Sequence, residues 1–120
     1  MISSINKVKS AFSSITAGEQ ILADDFYNMM DFMYNNRAEG MQNWDDSTWL
    51  ANALGITPEA LNEFEAKTGE AIHTYEDFVN AVVSSSGELG KVDTEVLLEM
   101  GISMDTMSSS MAGSLQTVAK

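Results

Sequence analysis

The sequence has no cysteine, a single histidine and a single proline among 120 residues. Without cysteine it has no disulfide and no thiolate metal ligand, and with His73 alone it has no pair of histidine ligands. No stretch approaches the roughly 18 consecutive apolar residues of a membrane-spanning helix. The spaced apolar residues of the N-terminus are also unlike a secretory signal. We therefore expect a protein of the cytoplasm or of a virion, without a signal peptide or a transmembrane segment.

Positive charge is also scarce. Six Lys and Arg face eighteen Asp and Glu, which gives a formal net charge of −12. All eighteen acids lie between Glu19 and Asp105, where only Arg37, Lys67 and Lys91 oppose them. A surface of this sign repels nucleic acid and anionic lipid and attracts basic surfaces. The charge predicts no direct binding to nucleic acid or membranes, and favours a protein partner with a basic surface.

The remaining composition is typical of a folded helical protein. Apolar residues make up 44 % of the chain, which is enough for one hydrophobic core at this length. Apolar spacings of three and four recur, whereas strict alternation is almost missing. We predict an all-α fold in a single domain over residues 1–120, with one long central helix and several short capped helices.

The long central helix is predicted over residues 17–39. Thr16 and Glu19 have the spacing of a capping box, and Gly40 is placed as a C-terminal stop. The apolar face of this helix comprises Ile21, Leu22, Phe26, Met29, Met30 and Met33.

Four shorter helices are predicted from local start and stop signals. Their starts are expected at Asp45 to Ser47, at Thr57 before Pro58, at Thr74 with Asp77, and at Asp93 or Thr94. Their ends are expected at Gly55, near Gly69, at residues 84–87 and at Gly101.

Both chain ends are predicted to be Ser-rich amphipathic segments, over residues 1–15 and 104–120. The apolar stripe of the first comprises Ile2, Ile5, Val8, Phe12 and Ile15. The apolar stripe of the second comprises Met104, Met107, Met111, Leu115 and Val118. Isolated helices this short are marginal in water, so each must pack on the domain or on a neighbouring subunit.

Residues 50–65 resemble a helix-turn-helix unit. Ala51 is small where two helices would touch, Gly55 follows four residues later in the turn, and Leu61 and Phe64 face inward. The resemblance implies a second helix that enters the major groove of DNA. The exposed positions of that helix are however mostly acidic, being Glu59, Asn62, Glu63 and Glu65. Carboxylates there oppose binding to phosphates, so a DNA-binding regulator is the least favoured reading.

Six carboxylates lie close together in the sequence between residues 59 and 77. They are Glu59, Glu63, Glu65, Glu70, Glu76 and Asp77. Carboxylates along helices can imitate the phosphates of DNA, as in phage-encoded inhibitors of restriction and CRISPR enzymes. An acidic DNA mimic is therefore an alternative function, although solvated helix faces would explain the same charges.

No pattern indicates catalysis, a cofactor or a metal. The acidic pairs at Asp24-Asp25 and Asp45-Asp46 are adjacent, so their side chains diverge on a helix. No acidic run has the spacing of an EF-hand. We predict a non-enzymatic protein without catalytic, cofactor or metal-binding residues.

Methionine and aromatic residues supply the remaining indication of how the protein could bind a partner. Met29 and Met30 cannot share one narrow stripe with Met33, so the predicted central helix is apolar across a wide arc. Core filling is the default explanation of such methionines, and for this helix we favour a central position that is partly exposed to a partner. The candidate partner contacts are Met29, Met30, Met33, Tyr34, Trp44 and Trp49. These features favour an assembly or adaptor subunit that forms homo- or hetero-oligomers, compatible with a phage structural or accessory protein.

Overall fold

The computed structural model describes residues 2–37, 39–86 and 90–119, and most of these residues are helical. The described part has seven α-helices: α1 (Ile2–Thr16), α2 (Ala23–Asn35), α3 (Asp46–Leu54), α4 (Pro58–Thr68), α5 (Tyr75–Ser85), α6 (Thr94–Glu99) and α7 (Met104–Ala119). A 3₁₀ turn spans Glu39–Met41, and two short strands, β1 (Ile21–Leu22) and β2 (Lys91–Val92), form the sheet. The all-α prediction is confirmed.

The predicted helix over residues 17–39 is wrong at its start. Gly18 has a φ of +84°, and the N–H groups of Gly18 and Glu19 donate to the carbonyls of Ile15 and Ser14. This is a Schellman ending, which closes α1. Thr16 caps nothing, because its hydroxyl donates to the carbonyls of Phe12 and Ser13 inside α1.

Strand pairing replaces the first turns of the predicted helix. Ile21 pairs with Val92 and Leu22 with Lys91 in antiparallel register. The N–H of Ala23, the first residue of α2, donates to the carbonyl of Gly90 at 2.7 Å. The start of α2 is therefore held by a segment that is distant in the sequence.

The predicted stop at Gly40 is also wrong, because α2 ends at Asn35. The amide nitrogen Nδ2 of Asn36 donates to the carbonyl of Phe32 at 2.9 Å and closes the last turn. Gly40 lies in the 3₁₀ turn that follows. The helix is central but not long, and it contacts α1, α5, α7 and both strands.

The helices α3 to α6 begin where the local signals predicted, although Asp45 before α3 makes no capping hydrogen bond with its side chain. Gly55 and Gly69 adopt left-handed conformations at the ends of α3 and α4. The Thr57 hydroxyl accepts a hydrogen bond from the N–H of Ala60. Thr74 and Asp77 form a complete capping box at the start of α5, and Asp93 caps α6.

Both terminal helices pack on the domain. In α1, Val8, Ala11 and Ile15 are buried and Phe12 is half-buried, whereas the side chains of Ile2 and Ile5 lie outside the described residues. Two serine hydroxyls of α7 form hydrogen bonds with α3 and α2. Ser110 donates to the carbonyl of Ala53 in α3 at 2.8 Å, and Ser114 donates to the carbonyl of Met33 in α2 at 3.3 Å.

Candidate functional site

Four of the six predicted partner contacts are core residues. Met29 and Met30 are 0 % exposed, Met33 is 1 % exposed and Trp49 is 3 % exposed. This burial corrects their reading as accessible contacts in the single chain. The physical reason is that α1, α5 and α7 surround α2 and cover its wide apolar arc, while α4, α5 and α7 pack on α3, which carries Trp49.

The other two predicted contacts reach the surface. Trp44 lies in the turn before α3 and is 36 % exposed. Tyr34 is half-buried at the end of α2, and its hydroxyl donates to Oδ1 of Asp46 at 2.7 Å. Both residues flank the connection between α2 and α3.

A row of aromatic rings crosses this side of the molecule. Neighbouring ring centroids are 5.8 Å apart for Tyr27 and Tyr75, 5.0 Å for Tyr75 and Tyr34, and 5.2 Å for Tyr34 and Trp49. Each tyrosine in the row donates its hydroxyl to a carboxylate; the pairs are Tyr27–Glu76, Tyr34–Asp46 and Tyr75–Asp31. No local pattern in the sequence reveals this row, because its members come from α2, α3 and α5.

The carboxylates and burial change the acidity of two tyrosines. Burial and the hydrogen bond to Asp31 raise the pKa of Tyr75 well above its ordinary value. The hydrogen bond to Asp46, followed by burial, raises the pKa of Tyr34, and the positive charge of Arg37 opposes part of that increase. Both phenols therefore act as neutral hydrogen-bond donors near neutral pH.

A groove of about 370 Å³ opens between α3, α7 and the end of α2, and we call it the α3–α7 groove. Its lining comprises Met33, Arg37, Met41, Trp49, Asn52, Ala53, Thr106, Ser109, Ser110, Gly113 and Ser114. The hydroxyls of Ser110 and Ser114 are engaged with backbone carbonyls. Arg37 is the charged residue of the lining.

Among the described residues, Arg37 contacts an aromatic ring rather than a carboxylate, which is unusual in so acidic a chain. Its guanidinium carbon lies 3.9 Å from the centroid of the Tyr34 ring, a cation–π contact. Its Nε is buried without a hydrogen-bond partner, and no carboxylate of the described residues forms an ion pair with it. The sequence showed Arg37 only as one base among many acids.

The six acids proposed as a DNA-mimicking surface have several roles within the fold. Glu65 accepts the N–H of Ile72 at 2.7 Å, and Glu76 accepts the Tyr27 hydroxyl at 3.2 Å. Asp77 completes the capping box of α5, and Oε2 of Glu70 is buried without a partner. Glu59 and Glu63 are exposed on α4 and form no hydrogen bond that crosses to another element in the described part.

The segment that resembles a helix-turn-helix unit forms α3, a short turn and α4. Ala51, Leu61 and Phe64 are buried, as expected. Glu59 and Glu63 lie exposed on α4, so the outer side of the second helix is acidic. This surface would repel phosphates.

Within the described ranges, no group of three or more His, Cys, Asp or Glu is placed to hold a metal ion. No helix of the described residues is both long and apolar enough to cross a bilayer. Comparison with protein-family models, with curated proteins and with solved structures found no match.

Proposed function

We propose that this chain is a non-enzymatic protein–protein interaction module, an assembly or adaptor subunit, that binds through the connection between α2 and α3. The observation that carries the proposal is the exposed Trp44 beside the half-buried Met41, whose carbonyl accepts the Trp44 N–H at 3.1 Å. Tyr34 and the stacked Arg37 lie at the start of the same connection. We call these four residues the α2–α3 surface.

The composition of the α2–α3 surface supports this proposal. Trp, Tyr and Arg supply most of the binding free energy in protein interfaces, and Met adapts its shape to a partner. The other large exposed apolar side chains of the described part are Leu22, Leu98 and Val118, and they lie on β1, α6 and α7. Single exposed aliphatic residues are ordinary on protein surfaces, whereas an exposed Trp within about ten residues of a Tyr, an Arg and a Met is less so.

Light scattering over a range of protein concentrations, at low and at moderate salt, tests the self-assembling form of the proposal. We expect the average mass to rise with concentration and to rise further with salt, because salt screens the repulsion between acidic copies. Trp44→Ala should lower the mass, and Leu98→Ala, which also removes an exposed apolar side chain, should not. The mass of one chain under all conditions would contradict self-assembly.

An acidic DNA mimic is the alternative proposal, and the fold gives it less support. Glu65, Glu76 and Asp77 keep their charge, but each already accepts a hydrogen bond from a neighbouring group, so part of their acceptor capacity is used within the fold. Binding of this kind would weaken steeply with salt, whereas apolar association would not. A titration with a basic DNA-binding protein at two salt concentrations separates the two.

A further inference from the structure

We propose that the α3–α7 groove binds a small apolar molecule with a single carboxylate, and that the Arg37 guanidinium receives the carboxylate. This proposal does not require the protein–protein role, although Arg37 and Met41 belong both to the groove and to the α2–α3 surface.

The shape and walls of the groove suit a small apolar ligand. Its volume of about 370 Å³ falls within the range of about 300–1,000 Å³ typical of small-molecule sites. Met33, Met41, Trp49 and Ala53 contribute apolar walls. Met41 is half-buried and its unbranched side chain can adjust to ligands of different shape.

Arg37 is the charged residue of the lining and therefore the anchor for an anion, while Asn52, Thr106 and Ser109 add neutral polar groups. Ser110 and Ser114 already donate to the carbonyls of Ala53 and Met33, so these hydroxyls are not free to donate to a ligand. The ring of Tyr34 holds the guanidinium in place at 3.9 Å. A guanidinium presents a planar fork of N–H donors that matches a carboxylate, and a small rotation about the side chain would also give the unpaired Nε an acceptor.

The charge distribution selects the class of anion. The chain carries a formal −12, so a ligand with several negative charges would be repelled on approach. One guanidinium compensates one carboxylate, and the apolar walls offer no second cation. A monocarboxylate with an aliphatic or aromatic body therefore fits better than a nucleotide or another phosphorylated molecule.

The test uses the full chain with ¹³C-labelled methionine methyl groups, observed by NMR during titration with octanoate. Met33 and Met41 line the groove, and the buried Met29 is an internal reference because it does not. Octanamide has the same apolar tail without the charge. We expect octanoate to shift Met33 and Met41 but not Met29, with a dissociation constant below about 1 mM, and octanamide to bind at least about ten-fold more weakly.

Two variants and a control connect this binding to the groove. Arg37→Gln should weaken octanoate about ten-fold or more and leave octanamide unchanged. Gly113→Leu should weaken both ligands, because Gly113 lines the groove, a Cβ there meets no atom within 4 Å, and the longer side chain is expected to fill part of the space. Lys67→Gln, which removes an exposed charge elsewhere, should change neither affinity.

Three results would overturn the proposal. They are no shift of Met33 and Met41 with octanoate, equal affinities for octanoate and octanamide, or unchanged octanoate affinity in a folded Arg37→Gln variant. Circular dichroism of each variant establishes that it is folded. If Arg37→Gln does not fold, the comparison of octanoate with octanamide in the unsubstituted chain decides the question.

Discussion

Gly55 allows α3 and α7 to approach each other closely. It has a φ of +71°, and a Cβ at this position would lie 2.6 Å from Cγ2 of Thr106 in α7. Any other residue would therefore suffer both a strained backbone and a steric clash. Gly55 also caps the C-terminus of α3 and begins the turn that leads to α4. A single glycine therefore affects the placement of three helices.

Gly55→Ala should lower the free energy of unfolding by about 2–4 kcal/mol, from the left-handed backbone and the clash together. Gly69→Ala is the matched control, because Gly69 has a similar φ of +75° but no atom within 4 Å of the added Cβ. Gly69→Ala should lower the free energy of unfolding by only about 1 kcal/mol. Urea unfolding followed by circular dichroism measures both values, and equal losses would show that Thr106 moves aside at little cost.

Tyr75 should make the protein sensitive to alkaline pH. Its folded-state pKa lies above the ordinary value of 10.0, so above pH 10 the unfolded chain loses a proton that the folded chain retains. The unfolded state is then favoured, and the free energy of unfolding falls as pH rises from about 10.

Tyr75→Phe should flatten this fall, because the group responsible is removed. Urea unfolding at pH 8 to 11 tests the expectation, and Tyr27→Phe should flatten the fall only in part, because the Tyr27 hydroxyl is one of the groups that raise the pKa of Tyr75. A slope that Tyr75→Phe leaves unchanged would assign the alkaline sensitivity to other groups, with Tyr34 as the first candidate because its pKa is also raised.

Among the helices, two threonines with similar sequence contexts have different roles. Thr74 accepts the N–H of Asp77 in a complete capping box, whereas Thr16 lies in the last turn of α1 and bonds to carbonyls behind it. Thr74→Ala should therefore lower the free energy of unfolding by about 1 kcal/mol, and Thr16→Ala should change it by less than about 0.5 kcal/mol. Thermal or urea unfolding of both variants provides the comparison, and similar losses would contradict the assigned roles.

The same pair shows which elements the sequence could predict. The starts of α4, α5 and α6 depend on contacts within a few residues, so Thr57, Thr74 and Asp93 were sufficient to place them. The start of α2 depends on Gly90 and β2, which no local pattern reveals. Gly18 was the available signal, since a glycine after the amphipathic stripe of α1 indicates a helix end.

The prediction of contact residues on α2 shows a second limit of sequence reasoning. Its pattern indicates how wide the apolar arc is, but the pattern is the same whether the chain or a partner covers it. Here α1, α5 and α7 cover it, and Phe26 packs against Phe78 with 6.1 Å between ring centroids. The α3–α7 groove could not be predicted from the sequence either, because residues from separate helices form its walls.

For the whole molecule, the negative charge should make stability depend on salt. A formal −12 on a chain of this size is self-repulsive, and about 0.15 M salt shortens the screening length to about 8 Å. We expect the free energy of unfolding to rise by on the order of 1 kcal/mol between about 0.01 M and 0.15 M sodium chloride.

A double variant provides the control for this salt effect. Glu59→Gln with Glu63→Gln removes two exposed carboxylates of α4 and should reduce the salt dependence. Urea unfolding at both salt concentrations measures it. A protein that salt destabilises would instead indicate that favourable charge contacts outweigh the repulsion.

The pairing of β1 with β2 also has a consequence for how the chain is made. Ile21 cannot pair until its partner Val92 has been synthesised. Ser114, whose hydroxyl donates to the Met33 carbonyl, is synthesised later still. A nascent chain halted on the ribosome before residue 91 would therefore present α2 without α7 or the strand partner of its leading end. During translation the methionines of α2 would stay partly uncovered and open to chaperones until β2 and α7 have been synthesised and packed on them.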